Sequence, residues 1–167
     1  MGPRLRGDDR NELMTLYFAY GSNMQRAAMA RRCPGARAVG PATLEGYSFF
    51  VGVDGWGSVK PKRGERVYGV LWRLTPRDIA ALHAYELLHQ GLYDVRHLPV
   101  RNGGGCVRAM IYLLRRRAPG RPKPGYIEMI AAAAHGWKLP ERYIRSVERQ
   151  SISRFTGPRV IDARELA

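Results

Sequence analysis

The stretch that begins the fold runs Leu16-Tyr-Phe-Ala-Tyr-Gly-Ser-Asn-Met24. Its aromatic, β-prone half predicts a strand over 15–20 that Gly21 ends. Asn23 is a residue type that caps helices, so we expect a short helix from Asn23 to about Arg32. A strand that passes through a glycine into a helix N-terminus directs free backbone N–H groups at one point, where a substrate carboxylate would bind. A plain strand–turn–helix connection fits the same residues.

Strand and helix patterns follow one another irregularly along the rest of the chain. The predicted strands are Thr43–Val51, Val67–Leu74, Gly91–Val100 and Cys106–Leu114, and the Gly-rich residues 52–65 read as a loop. Asn102-Gly103 predicts a hairpin between the last two strands. Two later helices are expected, Tyr126–His135 with Gly136 as its C-cap and Leu139–Gln150 with Tyr143, Ile144 and Val147 on one face. This order predicts an α+β fold with a mixed, largely antiparallel sheet and excludes a doubly wound parallel sheet.

A further helix is expected from Thr75 to about Leu88. Thr75 can cap it, and Pro76 suits its first position. Ile79, Leu82 and Glu86 are spaced so that they share one face. A carboxylate on that apolar face is either paired with an arginine or desolvated, and desolvation would raise its pKa toward the range of a general acid/base. The sequence leaves both interpretations of Glu86 open.

The composition excludes several classes of protein. The chain has 167 residues, enough for one domain with a real core, and its apolar fraction of 45% is too high for a disordered protein. No apolar run approaches the roughly 20 residues of a membrane helix, and residues 1–14 hold no signal-peptide pattern. Two cysteines cannot form a disulfide framework or a cysteine-rich zinc site. We therefore expect a cytoplasmic protein without a membrane partner.

The net charge of +14 first suggests a nucleic-acid partner. However, the basic residues are scattered, and they are not aligned with aromatic side chains that could stack on bases. Residues 15–150 carry 22 basic and 9 acidic residues, so the excess belongs to the main domain and not to a tail. This pattern favours a solvated arginine-rich surface, and it leaves a basic nucleic-acid-binding module as the less favoured alternative.

Taken together, the motifs resemble the γ-glutamylcyclotransferase-like family, in the form of a bacterial member. The resemblance rests on the opening stretch, on Val67–Trp72, on Leu82-x-x-x-Glu86 and on Gly91-Leu-Tyr93. Further matches are Ile111–Leu113, Pro122-x-x-x-Tyr126 and Gly136-x-x-Leu-Pro140, in the family's order and over roughly residues 15–150.

The resemblance implies a mixed fold built on a small barrel with a cavity. It implies conversion of γ-glutamyl amines or amino acids to 5-oxoproline, with Glu86 as the catalytic general acid/base and no metal or cofactor. The implied substrate-binding residues are Tyr17, Phe18, Ala19, Tyr20, Gly21, Ser22, Asn23, Tyr93, Tyr112 and Tyr126. The glutathione-specific branch usually has Leu in place of Asn23, which makes glutathione a less favoured substrate. A catalytically silent ligand-binding member is the main alternative.

The expected organisation is a leader over residues 1–14, a catalytic domain over 15–150 and a tail over 151–167. Translation from Met14 would remove most of the leader. The short, Gly-rich segment Val53–Pro61 is expected to border the pocket. The sequence does not specify that leaving group or the oligomeric state.

Overall fold

The computed structural model describes residues 14–86 and 91–152. Its centre is a closed barrel with the strand order β1-β3-β2-β4-β5. The strands are β1 (Thr15–Ala19), β2 (Arg37–Val51), β3 (Gly57–Leu74), β4 (Tyr93–Asn102) and β5 (Gly105–Leu114). The neighbours pair antiparallel, except that β1 closes the barrel by a parallel pairing of Tyr17 with Met110 on β5. The predicted fold class, a mixed and largely antiparallel sheet curled into a small barrel, is confirmed.

Within the described residues, four α-helices flank the barrel. They are α1 (Arg26–Arg32), α2 (Pro76–Tyr85), α3 (Tyr126–Gly136) and α4 (Glu141–Glu148), and two 3-10 turns cover Ser22–Met24 and Arg149–Ile152. The core is continuous from the barrel interior to α3 and α4, where Ile130 and Ile144 are almost fully buried. The predicted apolar face of the last helix is confirmed, since Tyr143, Ile144 and Val147 are all buried.

The prediction of a loop over residues 52–65 was wrong. Most of this segment belongs to β3, which pairs with β2 from Gly57 opposite Val51 onward, so the true turn is short. Four glycines among mostly polar residues suggested a loop, and the polar residues occur here because residues 60–66 of the strand face solvent. Lys60, Pro61 and Arg66 nevertheless pair with β2, on either side of an irregularity in the register, and such pairing overrides local composition.

Helix ends also differ from the predictions. Asn23 lies within the first 3-10 turn, and Gln25 is the N-cap of α1. The helix that Thr75 caps ends at Tyr85, so Glu86 is its C-cap, and the predicted end at Leu88 lies outside the described residues. The last helix begins after Pro140 and not at Leu139, because a residue that precedes proline avoids helical backbone angles.

Two strand and helix boundaries have local backbone causes. Gly91 has a φ of 72°, which does not fit an extended strand, and β4 therefore begins at Tyr93. Gly136 is the last residue of α3 and not its C-cap, and the left-handed residue after the helix is Lys138, with a φ of 56°. The predicted hairpin at Asn102-Gly103 is confirmed, since Asn102 pairs with Gly105. All of the predicted leader except Met14, and almost all of the predicted tail, lie outside the described residues.

Candidate active site

A cavity of about 200 Å³ opens where the end of β1 meets the end of α2. Its lining residues are Tyr17, Tyr20, Gly21, Ser22, Asn23, Trp56, Gly57, Tyr85, Glu86, Leu92, Tyr93, Tyr112 and Tyr126. Aromatic rings form most of its wall, and Glu86 is the carboxylate among these residues. An apolar pocket with a few convergent polar groups is the usual form of a small-molecule site.

A well-capped helix places Glu86 at the cavity. The side chain of Thr75 accepts a hydrogen bond from the Asp78 backbone N–H, and the Asp78 carboxylate accepts one from the backbone N–H of Thr75. Leu82, one turn before Glu86, is fully buried, and its carbonyl accepts the Glu86 N–H at 2.8 Å. The helix is therefore anchored at both ends, which directs the half-buried Glu86 side chain to the cavity.

Asn23 connects the turn after β1 to Glu86. Its side chain is buried, and Nδ2 donates hydrogen bonds to Glu86 Oε1 at 2.9 Å and to Tyr17 Oη at 3.1 Å. The Oδ1 atom accepts a hydrogen bond from Arg32 Nη1 at 2.5 Å. Both ends of the Asn23 amide are engaged by other side chains, so the amide is not available to cap the helix.

The environment of Glu86 perturbs its protonation. Burial raises the pKa of Glu86 from an ordinary 4.5 to about 7, against the opposing effects of the Arg32 cation and the Asn23 hydrogen bond. The carboxyl group is thus close to half protonated at neutral pH, which suits a group that must both accept and donate a proton.

Five buried tyrosines of the cavity carry neutral hydroxyl groups. Burial raises the pKa values of Tyr17, Tyr20, Tyr93, Tyr112 and Tyr126, and the nearby Glu86 charge raises them further. Neutral hydroxyl groups donate and accept hydrogen bonds, so they can orient a polar substrate without adding charge.

Gly57 holds two of these tyrosines. Its backbone N–H donates to the Tyr126 hydroxyl at 3.0 Å, and its carbonyl accepts from the Tyr93 hydroxyl at 3.2 Å. A Cβ at Gly57 would lie 2.6 Å from the Phe49 ring and 2.9 Å from the Tyr126 hydroxyl oxygen, so a larger residue would displace one or both of these rings. Trp56 packs edge-on against Tyr126, with 5.2 Å between ring centroids.

The structure brings most of the predicted site residues together. Phe18 and Ala19 do not line the cavity; both are buried in the barrel core, because β1 is covered on each face. Sequence reasoning did not name Trp56, Gly57, Tyr85 and Leu92 as site residues. The expectation that Val53–Pro61 borders the pocket anticipated Trp56 and Gly57, whereas Tyr85 and Leu92 carried no sequence signal beyond their closeness to Glu86 and Tyr93.

Comparison with known proteins defines the family to which this chain belongs. The family model described as "Gamma-glutamyl cyclotransferase, AIG2-like" matches residues 17–136, and the chain belongs to that family. The chain is 26% identical over 153 residues to the Gamma-glutamylcyclotransferase of Mus musculus, a match that covers 85% of this chain and 81% of the mouse protein. The Homo sapiens Gamma-glutamylcyclotransferase matches over the same extent, also at 26% identity.

The barrel is also found among solved structures. One described as "Gamma-glutamyl cyclotransferase" superimposes with a TM-score of 0.77 at 24% identity, covering 86% of this chain and 92% of the other. Within residues 14–86 and 91–152, no helix is long and apolar enough to cross a membrane. The same part of the chain holds no group of three or more His, Cys, Asp or Glu residues that could bind a metal ion.

Proposed function

We propose that this protein is a γ-glutamylcyclotransferase that releases an amine or amino acid from a γ-glutamyl compound and forms 5-oxoproline. Family membership supports the reaction class. The single observation that carries the proposal is the half-buried Glu86 carboxylate, which lines the cavity beside the Tyr20–Asn23 turn and whose pKa is about 7.

The proposed chemistry moves one proton through Glu86. The substrate α-ammonium gives a proton to the Glu86 carboxylate, and the free amine then attacks the γ-glutamyl carbonyl carbon. A new C–N bond closes the five-membered ring, and the bond to the leaving nitrogen breaks. That nitrogen takes the proton from Glu86, which returns to its starting form. The ring nitrogen loses a second proton as the neutral lactam forms, and the released amine takes it and leaves as an ammonium ion.

The walls of the cavity would hold the substrate in a reactive shape. The first N–H groups of the 3-10 turn Ser22–Met24 have no acceptor within the turn, so they are available to the substrate carboxylate. The hydroxyl groups of Tyr93 and Tyr126 can form hydrogen bonds with the polar groups of the γ-glutamyl unit. Holding the amine against the carbonyl removes the entropic cost of finding that conformation.

A coupled assay for 5-oxoproline tests this proposal across a panel of γ-glutamyl amines and γ-glutamyl amino acids, with glutathione included. We expect turnover of at least one compound, and we expect kcat/KM to rise with pH through about 7 as Glu86 loses its proton. Glu86→Gln should lower kcat/KM by about 10²–10⁴-fold. Glu148→Gln, which removes an exposed carboxylate, is the matched control and should leave turnover unchanged.

Two results would reject the proposal. One is turnover that survives in Glu86→Gln while the variant remains folded. The other is calorimetric binding of 5-oxoproline without turnover of any compound in the panel, which would identify a ligand-binding member of the family instead.

A further inference from the structure

Arg32 contacts two residues that flank Glu86, although it does not line the cavity. It lies at the end of α1, where its Nη1 donates to Asn23 Oδ1 at 2.5 Å. Its guanidinium carbon lies 3.7 Å from the ring centroid of Tyr85, the residue directly before Glu86. One half-buried arginine is thus fixed by a hydrogen bond and by a cation–π contact, which holds its position more firmly than either would alone.

The hydrogen bond from Arg32 determines which end of the Asn23 amide faces Glu86. An amide has a donor end and an acceptor end, whereas a guanidinium group only donates. With Oδ1 bonded to Arg32, the NH₂ group must point to Glu86 Oε1, 2.9 Å away. The opposite orientation would place the amide NH₂ against the guanidinium donors and the amide oxygen against the carboxylate.

The orientation of the amide selects one protonation form of Glu86. An NH₂ group stabilises a carboxylate, whereas an amide oxygen would accept a hydrogen bond from a protonated carboxyl group. We propose that Arg32 is a positioning residue that, by holding the Asn23 amide, favours the carboxylate form of Glu86, which accepts a proton. This inference rests on the proposed function for the role of Glu86, but its geometry stands without it.

The other titratable groups around Glu86 do not supply this effect. Those facing it from the surrounding elements are hydroxyl groups whose pKa values burial raises, so they stay neutral: Tyr17, Tyr20, Tyr93, Tyr112 and Tyr126. His83 Nδ1 lies 2.7 Å from the Tyr112 hydroxyl, and burial lowers the pKa of this histidine. Within the described residues, Arg32 is the cation that lowers the pKa of Glu86.

The test compares Arg32→Met with Arg31→Met. Arg31 is the preceding residue on α1 and is exposed, so both variants lose one positive charge and one long side chain from the same helix. The Glu86 carboxyl carbon is followed by ¹³C NMR as pH is varied, and its signal is assigned by its absence in Glu86→Gln. We expect the titration midpoint to move upward by about one pH unit in Arg32→Met and by less than half of that in Arg31→Met.

A second pair of variants covers the case in which Arg32→Met does not fold. Arg32→Gln and Arg31→Gln make the same comparison with a smaller loss of packing, and Gln carries both a donor and an acceptor, so it no longer forces one amide orientation. Arg32→Lys keeps a group that only donates hydrogen bonds, so its Glu86 titration midpoint should stay close to that of the wild-type protein. The inference is overturned if the midpoints of the Arg32 and Arg31 variants are equal.

Activity gives an independent readout. If the protein is a cyclotransferase, kcat/KM rises with pH as Glu86 loses its proton. In Arg32→Met this rise should move to higher pH by the same amount as the NMR titration midpoint. A purely structural role would lower the melting temperature without moving that profile. If no γ-glutamyl compound is turned over, the proposed function fails, while the titration of Glu86 still decides the role of Arg32.

Discussion

Replacing Glu86 by Gln should stabilise the folded protein above neutral pH and leave its stability unchanged near pH 4. Gln has nearly the same shape, and its side-chain oxygen can still accept the hydrogen bond that Asn23 Nδ2 gives to Glu86 Oε1. The variant therefore removes the charge and keeps the contact, so that the stability difference isolates the cost of ionising Glu86 inside the protein.

The sign of the effect follows from proton binding. The pKa of Glu86 is about 7 in the folded protein against an ordinary 4.5. Between these two values the unfolded chain has lost the proton and the folded chain keeps it, so the stability of the wild-type protein falls as pH rises through this window. Below the window both states are protonated, and the Gln variant and the wild type should be equally stable.

The magnitude comes from the same difference. A shift from 4.5 to about 7 corresponds to about 3 kcal/mol. Because the Glu86 side chain keeps some contact with solvent, we expect about 2 kcal/mol. In a chain of this size, that free energy raises the melting temperature by about 4–8 °C.

Urea denaturation at pH 4, 6 and 8 measures this difference, with Glu148→Gln as the exposed control. The free energies of unfolding of Glu86→Gln and wild type should agree at pH 4 and diverge by pH 8. A difference that does not change with pH, or a Gln variant that is less stable at pH 8, would refute the reasoning.

Two further variants test how the site is held in place. Thr75→Ala should lower the free energy of unfolding by about 1–2 kcal/mol in urea denaturation, because Asp78 loses the hydroxyl partner of the capping box, whereas Thr75→Ser should retain most of the stability. Gly69→Ala would drive a Cβ into the Ala19 carbonyl oxygen where β1 and β3 pair, so we expect a loss of about 1–3 kcal/mol. Gly104→Ala, at a position with open space around it, should change stability by less than about 0.5 kcal/mol. An equal loss of stability in both glycine variants would show that a clash with the Ala19 carbonyl oxygen is not the cause.

Local chemistry made several elements predictable. The capping residue Thr75, the proline after it and the spacing of Leu82 and Glu86 all act within a few residues of one another. The structure has the helix that they predict, with Leu82 buried, although the helix ends at Tyr85. The Asn102-Gly103 hairpin was predictable for the same reason, since a tight turn depends on its own residues.

Other features depend on residues that are distant in the chain. The first half of β3 reads as a loop, and it becomes a strand because β2 pairs with it. Asn23 has the composition of a helix cap, and it is turned inward because Glu86, 63 residues away, accepts its amide N–H. The pairing of Tyr17 with Met110, which closes the barrel, is likewise not indicated by the residues next to either one in the sequence.

The sequence by itself therefore determined the fold class, the strand that leads into the Tyr20–Asn23 turn and the helix that presents Glu86. Short-range hydrogen bonding and apolar spacing are enough for these features, because each involves neighbours in the chain. Tertiary structure decided that the turn and the helix end meet in one cavity, that Phe18 and Ala19 face the core and that Arg32 holds Asn23 against Glu86. Those outcomes depend on barrel closure, and the burial that closure creates is what raises the pKa of Glu86.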